Sequence, residues 1–326
     1  MKPVRLTLAL ALCAAALLAG AVGCGGDTGS EGDPAEVTLV LDYLPNGVHA
    51  GIYRALASGA YLDRGIDLKI ITPTSTADTI RLIQSGKADF GLADGLDIAT
   101  QISVGRDARA VMAVTQRPSG GLITLAQEGV LSPADLGGTT VGVTGVPSDT
   151  AVFMTMVKDA GGSPDESKVV TVGFGGIQAL LAGRISAFTG YIPSDAAVVE
   201  SRGRKTRSFA FDDFGGPSYP GLVVFSTGSR IAEDPELVEG FVDATIAGYR
   251  RAIREPAEAI SNMAESVPEL DPDLALRTFL AYKPLIGEAR TLGSIDGESV
   301  AELSGFMFRQ KLTPAPFDPA KFGAFP

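Results

Sequence analysis

An α/β fold built as two similar lobes is predicted by three features of the sequence. Strand and helix signals alternate from residue 35 onward, one helix–strand unit recurs, and the last third is mainly helical. Val37–Leu41 is an apolar strand that ends at the turn Pro45-Asn46-Gly47, and a helix begins at His49 and runs to Leu56. Leu68–Ile71 forms a second strand, and Ala77–Ser85 a helix with Thr76 as its N-cap and Gly86 as its stop. This βαβ order predicts a largely parallel sheet covered by helices. The segment Leu82 to Asp89 is echoed by Ala179 to Ser186: an apolar helix end, a glycine, a basic residue, then a short strand. That repeat suggests the second lobe. Periodicity makes Glu233–Ala264 mostly helical, with Pro235 and Pro256 at helix starts, and Val300–Leu312 a further amphipathic helix. These late helices fit best against a first lobe to which the chain returns.

The N-terminus sets the expected compartment. Lys2 and Arg5 precede the apolar run Leu6–Leu18, and Ala21-Val22-Gly23 lead into Cys24. Residues 1–23 have the layout of a secretory signal, too short in its apolar part to span a bilayer comfortably. Small residues directly before a cysteine resemble the lipobox of bacterial lipoproteins, although Ala21 stands where leucine is more frequent. The expectation is a lipid on Cys24, an extracytoplasmic protein anchored at the outer face of the cytoplasmic membrane, and a tether over 24–35. Gly, Ser and acidic residues keep that tether solvated.

Loss of residues 1–23 removes Cys13 and leaves Cys24 as the remaining cysteine, so no disulfide, thiol nucleophile or cysteine metal site is expected in the mature chain. Removing Lys2 and Arg5 takes the formal charge from −11 to −13. Such an acidic body is not expected to bind nucleic acid, and the basic stretch Arg202–Arg207 reads as a solvated loop. Neither a catalytic Ser/His/Asp order nor a phosphate loop is present, and no metal or cofactor is expected.

From Asp42 to Tyr53 the sequence resembles the opening of ABC-importer solute-binding proteins of the thiamine-pyrimidine-precursor and nitrate/sulfonate/taurine group. Further similarities follow in order at Gly59–Asp67, Ser85–Gly91, Ser132–Gly142, Gly173–Ala187 and Gly216–Val223. The resemblance implies a type II periplasmic-binding-protein fold, two α/β lobes joined by two crossover strands with a ligand cleft between them. It places the crossovers near Thr115–Gly120 and Tyr219–Phe225. Lobe one is then discontinuous, 36–116 and 223–326, and lobe two is 117–222. A monomer that closes on a small molecule and delivers it to an ABC permease with its ATPase is implied.

Physical logic and resemblance point to the same loops, because α/β sheets bind ligands beyond the carboxyl ends of their strands. Asp42, Tyr43, Asn46 and His49 follow the first strand, although Pro45-Asn46-Gly47 can also be a plain turn and His49 a helix-start residue. Tyr43 can stack on a flat ring. Asp94 follows another strand and serves equally as a helix cap. Ser148 and Thr150 lie at a helix start that can receive an anionic group, which Asp149 would oppose. Phe174, Tyr191, Asp195 and Tyr219 complete the candidate set. The resemblance makes Asp195 stand for a glutamate that accepts from an amine, while Ile192 and Pro193 depart from the family's aromatic and amide.

The carboxylates and aromatics favour a heterocyclic ring with N–H donors, similar to a thiamine-pyrimidine precursor, over a bare anion. Sulfonate, taurine, nitrate and riboflavin remain alternative ligands. Two other classes are an intracellular pyrimidine synthase, whose relatives carry a cysteine-rich iron-associated motif absent here, and a lipoprotein sensor outside transport.

Overall fold

The computed structural model describes residues 33–288 and 290–323. Cys24 and the proposed signal lie outside them, as does the tether up to residue 32. The first lobe opens with β1 (Ala35–Val40), α1 (Ala50–Ala57), β2 (Ile66–Ile71), α2 (Thr76–Gln84), β3 (Phe90–Asp94), α3 (Gly95–Ser103) and β4 (Arg109–Ala113). The chain then enters a second sheet with β5 (Gly120–Leu125), β6 (Thr140–Val143), α4 (Pro147–Asp159), β7 (Lys168–Thr171), α5 (Gly176–Leu181), β8 (Ala187–Tyr191), α6 (Ile192–Ser201) and β9 (Thr206–Ala210). It returns through β10 (Leu222–Ser226) and ends in α7 (Gly228–Glu233), α8 (Pro235–Arg254), α9 (Pro256–Ser266), α10 (Pro272–Ile286) and α11 (Gly297–Arg309).

The two five-stranded sheets have matching orders, β2-β1-β3-β10-β4 and β7-β6-β8-β5-β9. In each, the first three strands are parallel and the fourth runs antiparallel to both neighbours. That fourth strand, β10 or β5, is the one that directly follows a passage between lobes. The two passages lie side by side. Val114 N–H donates to Leu222 O (2.7 Å), Gly221 N–H to Thr115 O (3.0 Å), and Leu222 N–H to Thr115 Oγ1 (2.8 Å). Arg117 Nη2 and Asp212 Oδ2, 2.5 Å apart, tie the passages again. The predicted two-lobed α/β architecture is therefore present.

The sequence repeat marks the same place in both lobes. Gly86 and Gly183 end α2 and α5 in the left-handed region, at φ 67° and 65°, where a side chain is strained. The chain then enters β3 and β8, each the central strand of its sheet. The late helices pack on the first lobe: α8 lies against α1, and its Phe241 ring stacks on Phe90 of β3 at 4.1 Å. Both rings are fully buried, each contributing about 1.5–3 kcal/mol by removal from water.

Local boundaries differ from the sequence expectation where two adjacent residues compete. Ser75, not Thr76, caps α2: its backbone is extended and its hydroxyl accepts from Asp78 N–H (3.3 Å), while Thr76 has already turned helical. A short 3-10 turn, Gly47–His49, precedes α1, so His49 sits before the α-helix rather than in it. The helical tract after 233 is broken at Asp234 and Glu255, directly before Pro235 and Pro256. Helix α10, not anticipated, reaches the second lobe, where Tyr282 OH lies 3.4 Å from Ser194 Oγ.

Candidate functional site

A cavity lies between the lobes, beyond the carboxyl ends of β1 and β3 on one side and β6 and β8 on the other. Of the expected residues, Asp42, Tyr43, Asp94, Ser148, Phe174, Tyr191, Asp195 and Tyr219 line it. The free space within it is about 90 Å³, well above what a single water needs.

Each acidic residue is fixed by its own element. Asp42 follows β1, and His49 lies beneath it: Nε2 is 2.8 Å from Asp42 Oδ1, both side chains being buried. Asn46 backbone N–H donates to His49 Nδ1 (3.2 Å), so this geometry assigns the ring proton to Nε2, which donates to Asp42. Asp94 caps α3. Its Oδ1 accepts from Leu96 N–H (2.9 Å) and from the Tyr219 hydroxyl (2.9 Å), so the cap and the cavity wall are one residue. One turn further along α3, Asp97 accepts from the Ser148 hydroxyl at the start of α4, a bond between the lobes. Asp149 turns back to accept from Thr144 N–H (2.7 Å) and the Thr144 hydroxyl.

Asp195, in the first turn of α6, accepts from Tyr191 N–H (2.9 Å) through Oδ2. Gly190 makes that position possible. A Cβ there would lie 2.3 Å from Asp195 Oδ2 and 2.8 Å from the Phe188 ring. Aromatic contact closes another part of the cleft, where Tyr43 from lobe one meets Phe174 from lobe two edge-on, centroids 4.5 Å apart.

The electrostatics are one-sided. None of the described residues lining the cavity is Lys, Arg or His, whereas five are aspartates. Burial pushes the Asp94 and Asp195 carboxyls up to about 7 despite their stabilising hydrogen bonds. Asp97 is driven well above the ordinary range, first by burial and then by the neighbouring Asp94. Burial raises Asp149 as well. Burial also raises the Tyr43, Tyr191 and Tyr219 phenols, so they stay neutral.

Three expected site residues do not line the cavity. Asn46 spends its side chain on the 3-10 turn, with Oδ1 accepting from Val48 N–H (3.1 Å) and Nδ2 donating to Leu44 O (3.0 Å). His49 is fully buried behind Asp42 and acts through it. Thr150 is half-buried on α4, turned away from the face that carries Ser148, Asp149 and Val152 to the cavity. Asp97 and Thr189 were missed. The spacing of Asp94 and Asp97, three residues apart on one helix face, was a signal that could have found Asp97. Among the described residues no group of three or more His, Cys, Asp or Glu side chains is arranged to hold a metal ion.

Comparison with known proteins follows the same architecture. The family model described as "NMT1/THI5 like" matches residues 46–259. The chain is 32% identical to a formylaminopyrimidine-binding protein of Halalkalibacterium halodurans over 73% of each chain. It is 26% identical to a 4-amino-5-hydroxymethyl-2-methylpyrimidine phosphate synthase of Legionella pneumophila, over 80% of this chain and 82% of that one. Among solved structures, the alkanesulfonate-binding protein SsuA of Xanthomonas axonopodis pv. citri, bound to MOPS, superposes with a TM-score of 0.72 at 14% identity. That alignment covers 90% of this chain and all of the other, and it shows the periplasmic-binding-protein fold.

Proposed function

The chain belongs to the NMT1/THI5-like family, and on that footing we propose that it is an extracytoplasmic solute-binding protein of an ABC importer. Its ligand is a small nitrogen heterocycle related to the thiamine-pyrimidine precursors. The observation that carries this reading is the composition of the cleft: aromatic rings and five aspartates, with no basic side chain among the described lining residues. A ring with N–H donors complements those acceptors, and its faces and edges fit the aromatic walls.

The same chemistry disfavours a sulfonate or nitrate. Anion sites at helix N-termini rely on unneutralised N–H groups. Here the starts of α3, α4 and α6 already hold Asp94, Asp149 and Asp195. Binding, not synthesis, is the activity proposed, because the mature sequence lacks the cysteine-rich motif of the iron-associated synthases.

Residues 36–116 and 223–326 form the first lobe in this reading and 117–222 the second. The lobes close on the ligand, and the closed monomer delivers it to a permease with its ATPase. A lipid on Cys24 and a tether over 24–35 keep the body near the membrane. Thermal shift of purified protein tests the ligand class, since a ligand that binds only the native state raises the melting temperature. A shift with aminopyrimidines and none with taurine, alkanesulfonates or nitrate is expected. The opposite pattern sinks the reading.

A further inference from the structure

The way the cleft holds its aspartates says more about the ligand, on the footing of the solute-binding reading above. Asp42, Asp94, Asp97 and Asp195 are each clamped through a single carboxylate oxygen. Among the described residues, the second oxygen of each has no hydrogen-bond partner. Thr189, 4% exposed, lines the same wall with its hydroxyl beside Asp149. Among the described residues no Lys or Arg lines this cavity; His49, neutral with its proton on Nε2, backs Asp42, and Arg202, which acts on Tyr43, lies exposed outside the cavity wall.

Buried carboxylates without a counter-charge are costly, and a protein relieves that cost with a proton or with a cation. Neutral donors on a ring satisfy oxygens but leave the charge. We infer that the ligand enters as a cation, an aromatic nitrogen heterocycle bearing a protonated amine, whose charge is balanced by the carboxylates of the closed cleft. Burial raises Asp94 and Asp195 to about 7 and also raises Asp97 and Asp149, so the cleft holds protons near neutral pH before a ligand enters. A ligand cation favours the ionised carboxylates, so those protons leave as it binds. The Tyr43, Tyr191 and Tyr219 phenols remain neutral throughout.

The test titrates the purified full chain at pH 7 with 4-amino-5-aminomethyl-2-methylpyrimidine and with its uncharged N-formyl derivative. Calorimetry is run in two buffers of different ionisation enthalpy. The amine is expected to bind at least tenfold tighter than the formamide, with a buffer-dependent enthalpy reporting net proton release. In Asp97→Asn and Asp149→Asn that preference should narrow. Equal or tighter binding of the formamide, or amine binding with no proton release, overturns the cationic ligand while leaving the solute-binding reading intact. If neither compound binds, nor the parent hydroxymethyl pyrimidine, both the inference and the reading beneath it fail.

Discussion

The Asp97 carboxylate on α3 accepts a hydrogen bond from the Ser148 hydroxyl at the start of α4, a buried polar contact between the two lobes. In the proposed closure, this contact supplies part of the stabilisation from protein atoms. Ser148→Ala removes the donor and leaves Asp97 unpaired only in the closed form. Affinity for the pyrimidine ligand should fall by about 1–2 kcal/mol, roughly five- to thirtyfold. Small-angle scattering should show the unliganded variant more open than wild type. Unchanged affinity in titration calorimetry contradicts a role for this contact in closure.

His49 supports the site without lining it. Its Nε2–H holds Asp42, and both side chains are buried. His49→Ala leaves a cavity and an unpartnered carboxylate, and should cost about 2–4 kcal/mol of stability in urea titration. Ligand affinity should fall with it. A variant as stable as wild type argues that Asp42 finds another donor.

Gly190 sets the reach of Asp195. Gly190→Ala places a methyl group 2.3 Å from Asp195 Oδ2, so the carboxylate must move. A loss of affinity of about tenfold or more is expected. Gly240→Ala on α8, away from the cavity, is the control, since its Cβ has no neighbour nearer than 3.6 Å. Equal effects of the two substitutions would show that space for Asp195 is not what Gly190 supplies.

The unliganded protein should lose stability as pH rises from about 4 to about 7. Asp94 and Asp195 have folded pKa values near 7, raised above the ordinary aspartate value. In that window the folded state binds more protons than the unfolded state, so the slope of stability with pH is negative. Saturating heterocyclic cation should weaken the slope. Melting temperatures across pH 4.5–8 check both (about 3–4 units spanning the two values). A rising trend in the empty protein contradicts the buried-carboxylate description.

Much of the fold was legible because it is written in local signals. Alternating apolar runs gave the strands, and glycines after apolar helix ends gave the repeat at Gly86 and Gly183, both left-handed as that role requires. The β1 loop residues Asp42 and Tyr43 were found by their position after a strand. What the sequence hid depends on which atom a side chain spends locally. Asn46 looked like a ligand contact but caps its own turn, and His49 is satisfied by a neighbour seven residues back. Asp97 was overlooked because its partner Ser148 comes from the other lobe, a pairing that exists only once the two sheets face each other. Helix α10 was missed too, its pattern interrupted by the internal Pro284.

In the proposed function the cleft selects a nitrogen heterocycle through carboxylate acceptors and excludes anions. Titration calorimetry of the purified protein with 4-amino-5-hydroxymethyl-2-methylpyrimidine and with taurine, run side by side on wild type and Asp195→Ala, tests it most directly. Saturable binding of the pyrimidine, weakened in Asp195→Ala, with no heat from taurine, is the predicted result. Saturable taurine binding with a silent pyrimidine contradicts the account.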